Sequence, residues 1–226
     1  MTTPTSRRTG RPRAVTEQAI LDAALLQLDA GGAASVSVRG IAAQVGIAPN
    51  ALYTYYPNKA AVLRALVERF LGEVNHDSFI DRQLPWRQRV EALALELRTH
   101  LVAHPGAVHL LLGGPMDGPN ALALREALSE VLADAGSRPD DAARGSYVLM
   151  VYLLGAIALE VAEIHQPDTA PSEPERIATR RAALDTIPAG IYPRTSRTAG
   201  TVAKYFTTEQ FLWGLQRVLD GLDPHA

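Results

Sequence analysis

The stretch that decides the fold runs from Ser37 to Lys59 and reads SVRGIAAQVGIAPNALYTYYPNK. Ser37 is a residue type that caps a helix N-terminus, and Gly46 is the type that adopts the left-handed conformation at a helix exit. Pro49 suits the first turn of a following helix, where its missing N–H costs little. We therefore expect two short helices joined by a tight turn, over 38–45 and 49–55.

The two faces of this unit differ in chemistry. The apolar positions that would form its small core are Ile41, Ala42, Val45, Ile47, Leu52 and Tyr56. The outer face of the second helix instead carries Pro49, Asn50, Ala51, Tyr53, Thr54 and Tyr55. Asparagine can pair with adenine, methyl groups can touch thymine, and hydroxyls reach phosphates. With Arg39 and Lys59 as flanking cations, the unit predicts a DNA-binding helix-turn-helix; a plain helical hairpin within a bundle is the alternative.

Outside this unit the pattern is helical throughout. Thr16 can cap a helix that Gly31-Gly32 ends, and Asn58 can cap a long helix reaching about residue 80. Further helices are expected over 86–104, 105–112, 119–136, 140–166, 173–186 and 208–221, with 187–207 irregular. No segment alternates as a strand would, so the predicted fold class is all-α. The expected organisation is a flexible arm, a helix-turn-helix domain and a larger helical domain, over 1–15, 16–60 and 61–226.

Charge is unevenly distributed along the 226 residues, whose net charge is −2. The first 70 residues carry eight basic and four acidic side chains, which leaves the remainder at −6. A basic end on an acidic body favours a polyanionic partner at that end. The arm contributes four arginines that could enter a minor groove, track phosphates or stay free of DNA: Arg7, Arg8, Arg11 and Arg13.

Several classes of protein find no support in the sequence. There is no cysteine, which excludes disulfides, cysteine zinc sites and a thiol nucleophile. No phosphate-binding loop or serine-hydrolase elbow is present, and we expect no enzyme and no cofactor. The N-terminus lacks the apolar run of a secretory signal, so a cytoplasmic protein is expected. The longest apolar tract, 147–159, is short for a membrane span and is interpreted as a buried helix.

Residues 17–70 closely resemble the tetracycline-repressor (TetR/AcrR) family of bacterial regulators, through ILDAAL at 20–25 and the stretch already quoted. The C-terminal part is similar to the tetracycline repressor's own subgroup, through Trp86, PGAVH at 105–109, LGAIALE at 154–160 and FLWGL at 211–215. The resemblance implies a homodimer that binds DNA through its first three helices. By position, it assigns the DNA contacts to Arg39, Pro49, Asn50, Ala51, Tyr53, Thr54, Tyr55 and Lys59.

The resemblance also implies that the larger domain forms a dimer bundle, through about 142–164 and 208–221, and holds a small-molecule effector. Such proteins usually repress transcription and leave the operator, an inverted repeat, when the effector binds. An activator, or a regulator without an effector, is the alternative. The last helix carries an apolar stripe that needs a partner, which favours a dimer over packing within one chain.

Two routes give candidates for the effector pocket. Helical spacing and a helix break at Gly113-Gly114 suggest Leu112, Met116, Tyr147, Met150, Val151 and Leu154, although a plain core stripe would look the same. The resemblance to the subgroup adds Trp86, Leu93 and Leu97, and also His109, which lies near the expected position of the subgroup's metal ligand. Polar drug-binding positions of the subgroup match Asn75, Leu93 and Leu97, and its metal ligand matches Leu110 rather than His109. We therefore predict neither tetracycline nor magnesium, and the default for His100, His104 and His109 is a role without metal.

Overall fold

The computed structural model describes residues 15–114, 116–164 and 171–225, and within these ranges every regular element is a helix. The helices are α1 (Glu17–Ser35), α2 (Val38–Val45), α3 (Pro49–Leu52), α4 (Lys59–Glu73), α5 (Asp77–Ile80), α6 (Trp86–Ala103), α7 (Pro105–Gly113), α8 (Pro119–Asp134), α9 (Pro139–Glu163), α10 (Glu173–Asp185), α11 (Pro193–Arg197), α12 (Ala199–Val202) and α13 (Thr208–Leu222). The all-α prediction is confirmed. The predicted arm, 1–15, lies outside the described residues except for Val15.

Local capping builds the N-terminal three helices. The hydroxyl of Thr16 accepts from the N–H of Ala19 at 3.2 Å, and that of Ser37 accepts from Gly40 at 3.0 Å. Gly46 has φ 74°, the left-handed conformation that its position requires, and its N–H bonds back to the last turn of α2. The sequence therefore specifies the tight turn between α2 and α3 through side chains that satisfy exposed backbone groups.

Two predicted boundaries in the N-terminal unit change. Helix α1 breaks at Gly31-Gly32 as expected, but it resumes and runs to Ser35. Helix α3 ends at Leu52, not at Tyr55, because the N–H of Thr54 and of Tyr55 bond only three residues back, to Ala51 and Leu52. These shorter bonds tighten the chain into a turn before Pro57.

The long connecting helix is also shorter than predicted. Helix α4 stops at Glu73 because Val74 adopts an extended conformation. The side chain of Asn75 then accepts from the N–H of Asp77 at 2.9 Å, which starts the separate helix α5. The region 187–207, expected to be irregular, contains the short helices α11 and α12.

The N-terminal unit packs on the larger domain mainly through α1 against α7. The contact is close at Gly106, where a Cβ would overlap the carbonyl of Leu28 on α1. The carboxylate of Asp29 accepts from the N–H of Gly106 at 3.1 Å and bonds the ring of His104 at 3.0 Å. A glycine and a carboxylate at the start of α7 thus fix the end of α1.

The larger domain contains one buried arginine, Arg89, and one partly buried arginine, Arg98, and both pair with acids. Arg89 bonds the carbonyl of Phe79 at 2.8 Å and Asp134 at 2.7 Å. Arg98 makes a two-bond contact with Glu160 at 2.8 and 2.7 Å. Glu160 is therefore a buried partner in the core, and this contact ties α6 to α9.

Helix α9 has the length and mean hydropathy of a membrane-spanning helix, with 25 residues and a window value of 1.8. This signal is weak, because the central helix of a globular core gives the same one. One face of α9 is buried in the domain through Leu149, Leu153 and Ile157. The opposite face is exposed, including Tyr147, Val148, Val151 and Leu159, so the tract predicted to be a buried helix is buried on one side only.

Candidate nucleic-acid interface and ligand cavity

The outer face of α2, α3 and the following turn presents the residues predicted to meet DNA. Arg39, Pro49, Asn50, Tyr53, Thr54 and Tyr55 are exposed, whereas Ala51 and Lys59 are half-buried. On the inner side Ile41, Ala42 and Leu52 are fully buried. Because α3 ends at Leu52, the tyrosines and Thr54 lie in the turn after the helix, not on it.

Some of these side chains are held and others are unengaged. The hydroxyl of Thr54 donates to the carbonyl of Ala51 at 2.7 Å, and that of Tyr55 donates to the carbonyl of Val15 at 2.9 Å. The ammonium of Lys59 lies 3.5 Å from the carbonyl of Ala34. Across 15–114, 116–164 and 171–225, no hydrogen bond engages the side chains of Arg39, Asn50 and Tyr53. Their polar groups are therefore free to bind a ligand.

Two of the three acids of the N-terminal unit are engaged away from this face. Residues 15–60 contain three acidic and two basic side chains. Asp22 pairs with Arg69 at 2.6 Å, and Asp29 bonds His104, so both are engaged by the rest of the protein. The third acid, Glu17, is exposed at the start of α1. Burial raises the pKa of the Tyr56 hydroxyl, and the charge of Glu17 raises it further. The cations Arg39 and Lys59 thus set the sign of the outer face.

A cavity of about 470 Å³ lies between α8, α9 and the end of α7. Helices α8 and α9 pack side by side, and each contributes lining residues that share one face of the helix. The described residues that line it are Leu111, Met116, Ala121, Leu124, Arg125, Leu128, Ser129, Ala143, Ser146, Tyr147, Met150 and Leu154. Such a mainly apolar, partly open space between helices of a bundle is a usual place for a small molecule.

The effector candidates fall into two groups. Met116, Tyr147, Met150 and Leu154 line the cavity. The other candidates lie outside it. Leu93 and Leu97 are buried in the core, and Trp86 is half-buried beside the guanidinium of Arg87. Leu112 and Val151 are exposed, and His109 lies in an open depression formed by α1, α7 and α9. Sequence reasoning missed the whole α8 wall. The small and apolar residues at helical spacing from Ala121 to Ser129 could have indicated this wall from the sequence.

One segment of the chain joins this cavity to the helix-turn-helix. Met116 and Ala121 line the cavity, and the residues between them bond α4. Arg64 on α4 makes two bonds to Asp117, at 3.0 and 3.2 Å, and this pairing lowers the pKa of the Asp117 carboxyl. Because α4 begins directly after the helix-turn-helix, a displacement of Met116 reaches it through few atoms.

A second contact in the same place caps helix α8. The carboxylate of Glu68 on α4 accepts from the N–H groups of Asn120 at 2.6 Å and Ala121 at 3.3 Å. The side chain of Asn120 donates in return to the carbonyl of Glu68 at 2.7 Å. A carboxylate at a helix N-terminus satisfies free N–H groups and is favoured by the helix dipole. Helix α4 therefore contributes to the stability of one cavity wall.

Histidines do not gather with acids into a metal cluster in the described ranges, where no group of three potential ligands occurs. His104 is bonded to Asp29, and His100 packs edge-on against Phe70 with ring centroids 5.8 Å apart. His109 is exposed. Each of the three thus has a different environment.

Both parts of the chain are similar to known proteins. Residues 20–66 match the model described as bacterial regulatory proteins, tetR family, and residues 81–225 match the tetracyclin repressor-like C-terminal domain. A transcriptional regulator of the helix-turn-helix type from Saccharopolyspora erythraea is 30% identical over 181 residues, 79% of this chain and 75% of that protein. The repressor DrrR1 of Streptomyces coeruleorubidus is 26% identical over 210 residues, 90% and 76% of the two chains.

Among solved structures, ActR of Streptomyces coelicolor in complex with (S)-DNPA superimposes with a TM-score of 0.75 at 22% identity, covering 94% of this chain and 98% of that one. This likeness concerns the fold. The two family matches together cover most of the N-terminal helices, over 20–66, and most of the larger domain, over 81–225. The chain therefore belongs to the tetR family of bacterial regulatory proteins, DNA-binding regulators of transcription, with a C-terminal domain of the tetracycline-repressor type.

Proposed function

We propose that this protein is a cytoplasmic, ligand-responsive repressor that binds an inverted-repeat operator as a homodimer and leaves it when a small molecule binds. The proposed division is an arm over 1–15, a DNA-binding domain over 16–60 and an effector and dimerisation domain over 61–226. The observation that carries the proposal is the segment from Met116 to Ala121, which both lines the cavity and bonds α4.

For DNA, we propose that the outer face of the helix-turn-helix enters the major groove. Asn50, Tyr53, Thr54 and Ala51 would meet base edges or methyl groups, while Arg39 and Lys59 would meet phosphates. Tyr55, whose hydroxyl is bonded to Val15, would position the start of the arm beside the groove. Two such units bind successive grooves on one face when their recognition helices are about 34–36 Å apart.

For the dimer, we propose the exposed sides of α9 and α13 as the contact surface. Val148, Val151, Leu159 and Trp213 are large apolar side chains that are exposed in the protomer. A bundle of two helices from each of two chains would cover them, which is the usual arrangement for self-complementary apolar faces. This assignment also accounts for the apolar outer face of α9 without a membrane partner.

Release follows from differential affinity. A ligand in the cavity that fits better when the segment from Met116 to Ala121 is displaced would move α4, because Arg64 and Glu68 bond that segment. Movement of α4 changes the spacing of the two recognition units, and operator affinity falls. An activator, or a regulator that lacks an effector, remains the second candidate, since its DNA-binding face would look the same.

The test begins with selection of binding sites from a random-sequence DNA pool, followed by gel-shift titration of the selected duplex. We expect an inverted repeat, with saturable and salt-sensitive binding. Tyr53→Ala should weaken binding about tenfold or more, which is the usual size of a lost groove contact. Tyr205→Ala is the matched control, because Tyr205 is 51% exposed and Tyr53 is 49% exposed.

A second pair tests the phosphate contact. Lys59→Ala should weaken binding to all sequences alike and reduce its salt dependence, whereas Lys204→Ala, in the larger domain, should change neither. Selection of no preferred sequence would refute a specific regulator. Full affinity in both the Tyr53 and the Lys59 variants would refute the assigned face. A repressor and an activator are separated by transcription from a promoter that carries the selected site.

A further inference from the structure

The cavity between α8 and α9 has a distinctive charge. Among its described lining residues, Arg125 is the single ionised side chain, and no carboxylate is present there. Most of the remaining lining is aliphatic, with Met116 and Leu124 among its large members. A cavity that offers one positive charge and no negative charge favours an anionic or neutral molecule over a cation.

Arg125 is an exposed residue of the cavity lining and differs from Arg89 and Arg98, which are shielded from solvent by the core. Arg89 and Arg98 each pair with a carboxylate, whereas in the described parts of the chain Arg125 has no ion-pair partner. On its own helix the neighbours three and four residues away are Ala121, Leu122, Leu128 and Ser129, none of which is acidic. Its guanidinium therefore retains all of its donor groups for a ligand.

The other polar groups of the cavity have largely used their donors. The hydroxyl of Ser129 donates to the carbonyl of Arg125 at 3.0 Å, and that of Ser146 donates to the carbonyl of Ala142 at 2.8 Å. The phenol of Tyr147 makes no hydrogen bond within the described chain. The unengaged donors at the mouth are thus a guanidinium and a phenol, which together suit an acceptor group that bears negative charge.

The free donors of the cavity and its end beside α4 lie at different levels between the two helices. Helices α8 and α9 are joined by a short turn and run antiparallel, so Arg125 and Tyr147 lie at similar distances from that turn, near the middle of the lined stretch. Leu111 and Met116 lie at the end away from that turn, beside the segment that bonds α4. A molecule bound here is oriented by its anionic group, and its apolar body faces that segment.

We propose that the ligand of this cavity is an amphipathic anion, an apolar or aromatic body that bears a carboxylate or a comparable anionic oxygen group. Arg125 binds the anionic group, Tyr147 donates a second hydrogen bond, and the body packs against Met116 and Leu124. This inference rests on the proposed function in one respect, that the cavity is the effector site. It adds the chemical class of the effector and its orientation.

The test uses two fluorescent dyes that share an anilinonaphthalene body. 1-Anilinonaphthalene-8-sulfonate carries an anionic group, and N-phenyl-1-naphthylamine has none. Each is titrated against the full chain, and its fluorescence enhancement gives a dissociation constant. We expect Arg125→Gln to weaken binding of the sulfonate about tenfold, since a charge-assisted bond is lost, while the neutral dye changes less than about twofold. Arg138→Gln, at an exposed arginine outside the cavity, should change neither.

Location is tested by filling the space with Ala143→Trp, which should abolish binding of both dyes while the melting temperature stays close to that of the unmodified chain. Sulfonate binding that survives this substitution, or that is unaffected by Arg125→Gln, overturns the inference. Equal loss of both dyes in Arg125→Gln also overturns it, because the arginine then acts only on structure. The operator titration is independent of the dye titrations. If the unmodified chain binds no operator but Arg125→Gln still weakens only the sulfonate, the proposed function is refuted and the ligand class stands.

Discussion

Replacing Glu160 by glutamine tests the buried ion pair that joins α6 to α9. The side chain of Glu160 is 5% exposed and that of Arg98 is 14% exposed. Two bonds of 2.8 and 2.7 Å connect them, and a second guanidinium, that of Arg176, lies 3.5 Å from the same carboxylate. Glutamine keeps the shape but removes the charge, and its amide NH₂ would meet guanidinium donors.

The expected loss follows from this geometry. Removing one partner of a buried pair costs about 3–5 kcal/mol, because the other charge stays buried without compensation. Glu173 lies 3.6 Å from Arg98 and can replace part of the lost interaction, so we expect the lower end, about 3 kcal/mol. For a chain of this size about 1 kcal/mol corresponds to roughly 2–4 °C, which gives a fall in melting temperature of about 6–12 °C.

The measurement is urea unfolding followed by circular dichroism, at one fixed protomer concentration because association stabilises the folded state. Glu209→Gln is the matched control: Glu209 pairs with Lys204 at 3.0 Å on the surface, where a pair contributes about 0–1 kcal/mol. A loss below about 1 kcal/mol for Glu160→Gln, or one equal to that of the control, would refute the argument from burial. Arg98→Met combined with Glu160→Leu should recover part of the stability, since Arg98 no longer leaves an unpaired charge, while the largely buried Arg176 still loses its carboxylate.

Three further predictions concern backbone and charge. Gly46→Ala should lower the free energy of unfolding by about 1 kcal/mol, measured by urea midpoint, because φ is 74° there. Gly106→Ala should cost about 1–3 kcal/mol and weaken operator binding, because the new Cβ would overlap the carbonyl of Leu28; unchanged stability would contradict this close packing. A backbone N–H two residues on, and then Arg87, lower the pKa of Asp223 below its ordinary 3.8. Its stabilising contribution is complete above that value and is lost as pH falls through the lowered one, so Asp223→Asn should flatten the acid limb of a stability–pH profile.

The helix-turn-helix could be predicted from sequence because its rules are local. Ser37, Gly46 and Pro49 each satisfy or avoid a backbone hydrogen bond within a few residues, and no distant contact alters that requirement. The end of α3 was missed by three residues because the choice between bonds to the third and the fourth preceding carbonyl depends on small energies near Pro57.

The cavity could be predicted only in part, because it depends on which faces of distant helices meet. Spacing on one helix identified Tyr147, Met150 and Leu154. It could not show that α8 supplies the opposite wall, or that Leu93 would be enclosed by the core. Arg125 gave no signal, since an isolated arginine on a helix normally faces water. Only the fold shows that this exposed arginine lines the cavity and that no acid of the described residues pairs with it.

The carboxylate of Glu68, which caps the first turn of α8, has a consequence for regulation in the cell. If the operator holds α4 in one position, it also holds the cavity wall that α4 caps. Thermodynamic linkage then requires that DNA lower the affinity for the ligand by the same factor by which the ligand lowers the affinity for DNA. Free protein would therefore capture the ligand first. The ligand concentration needed to open a promoter would rise with the number of protein molecules in excess of operator sites, so that expression level sets the threshold of the response.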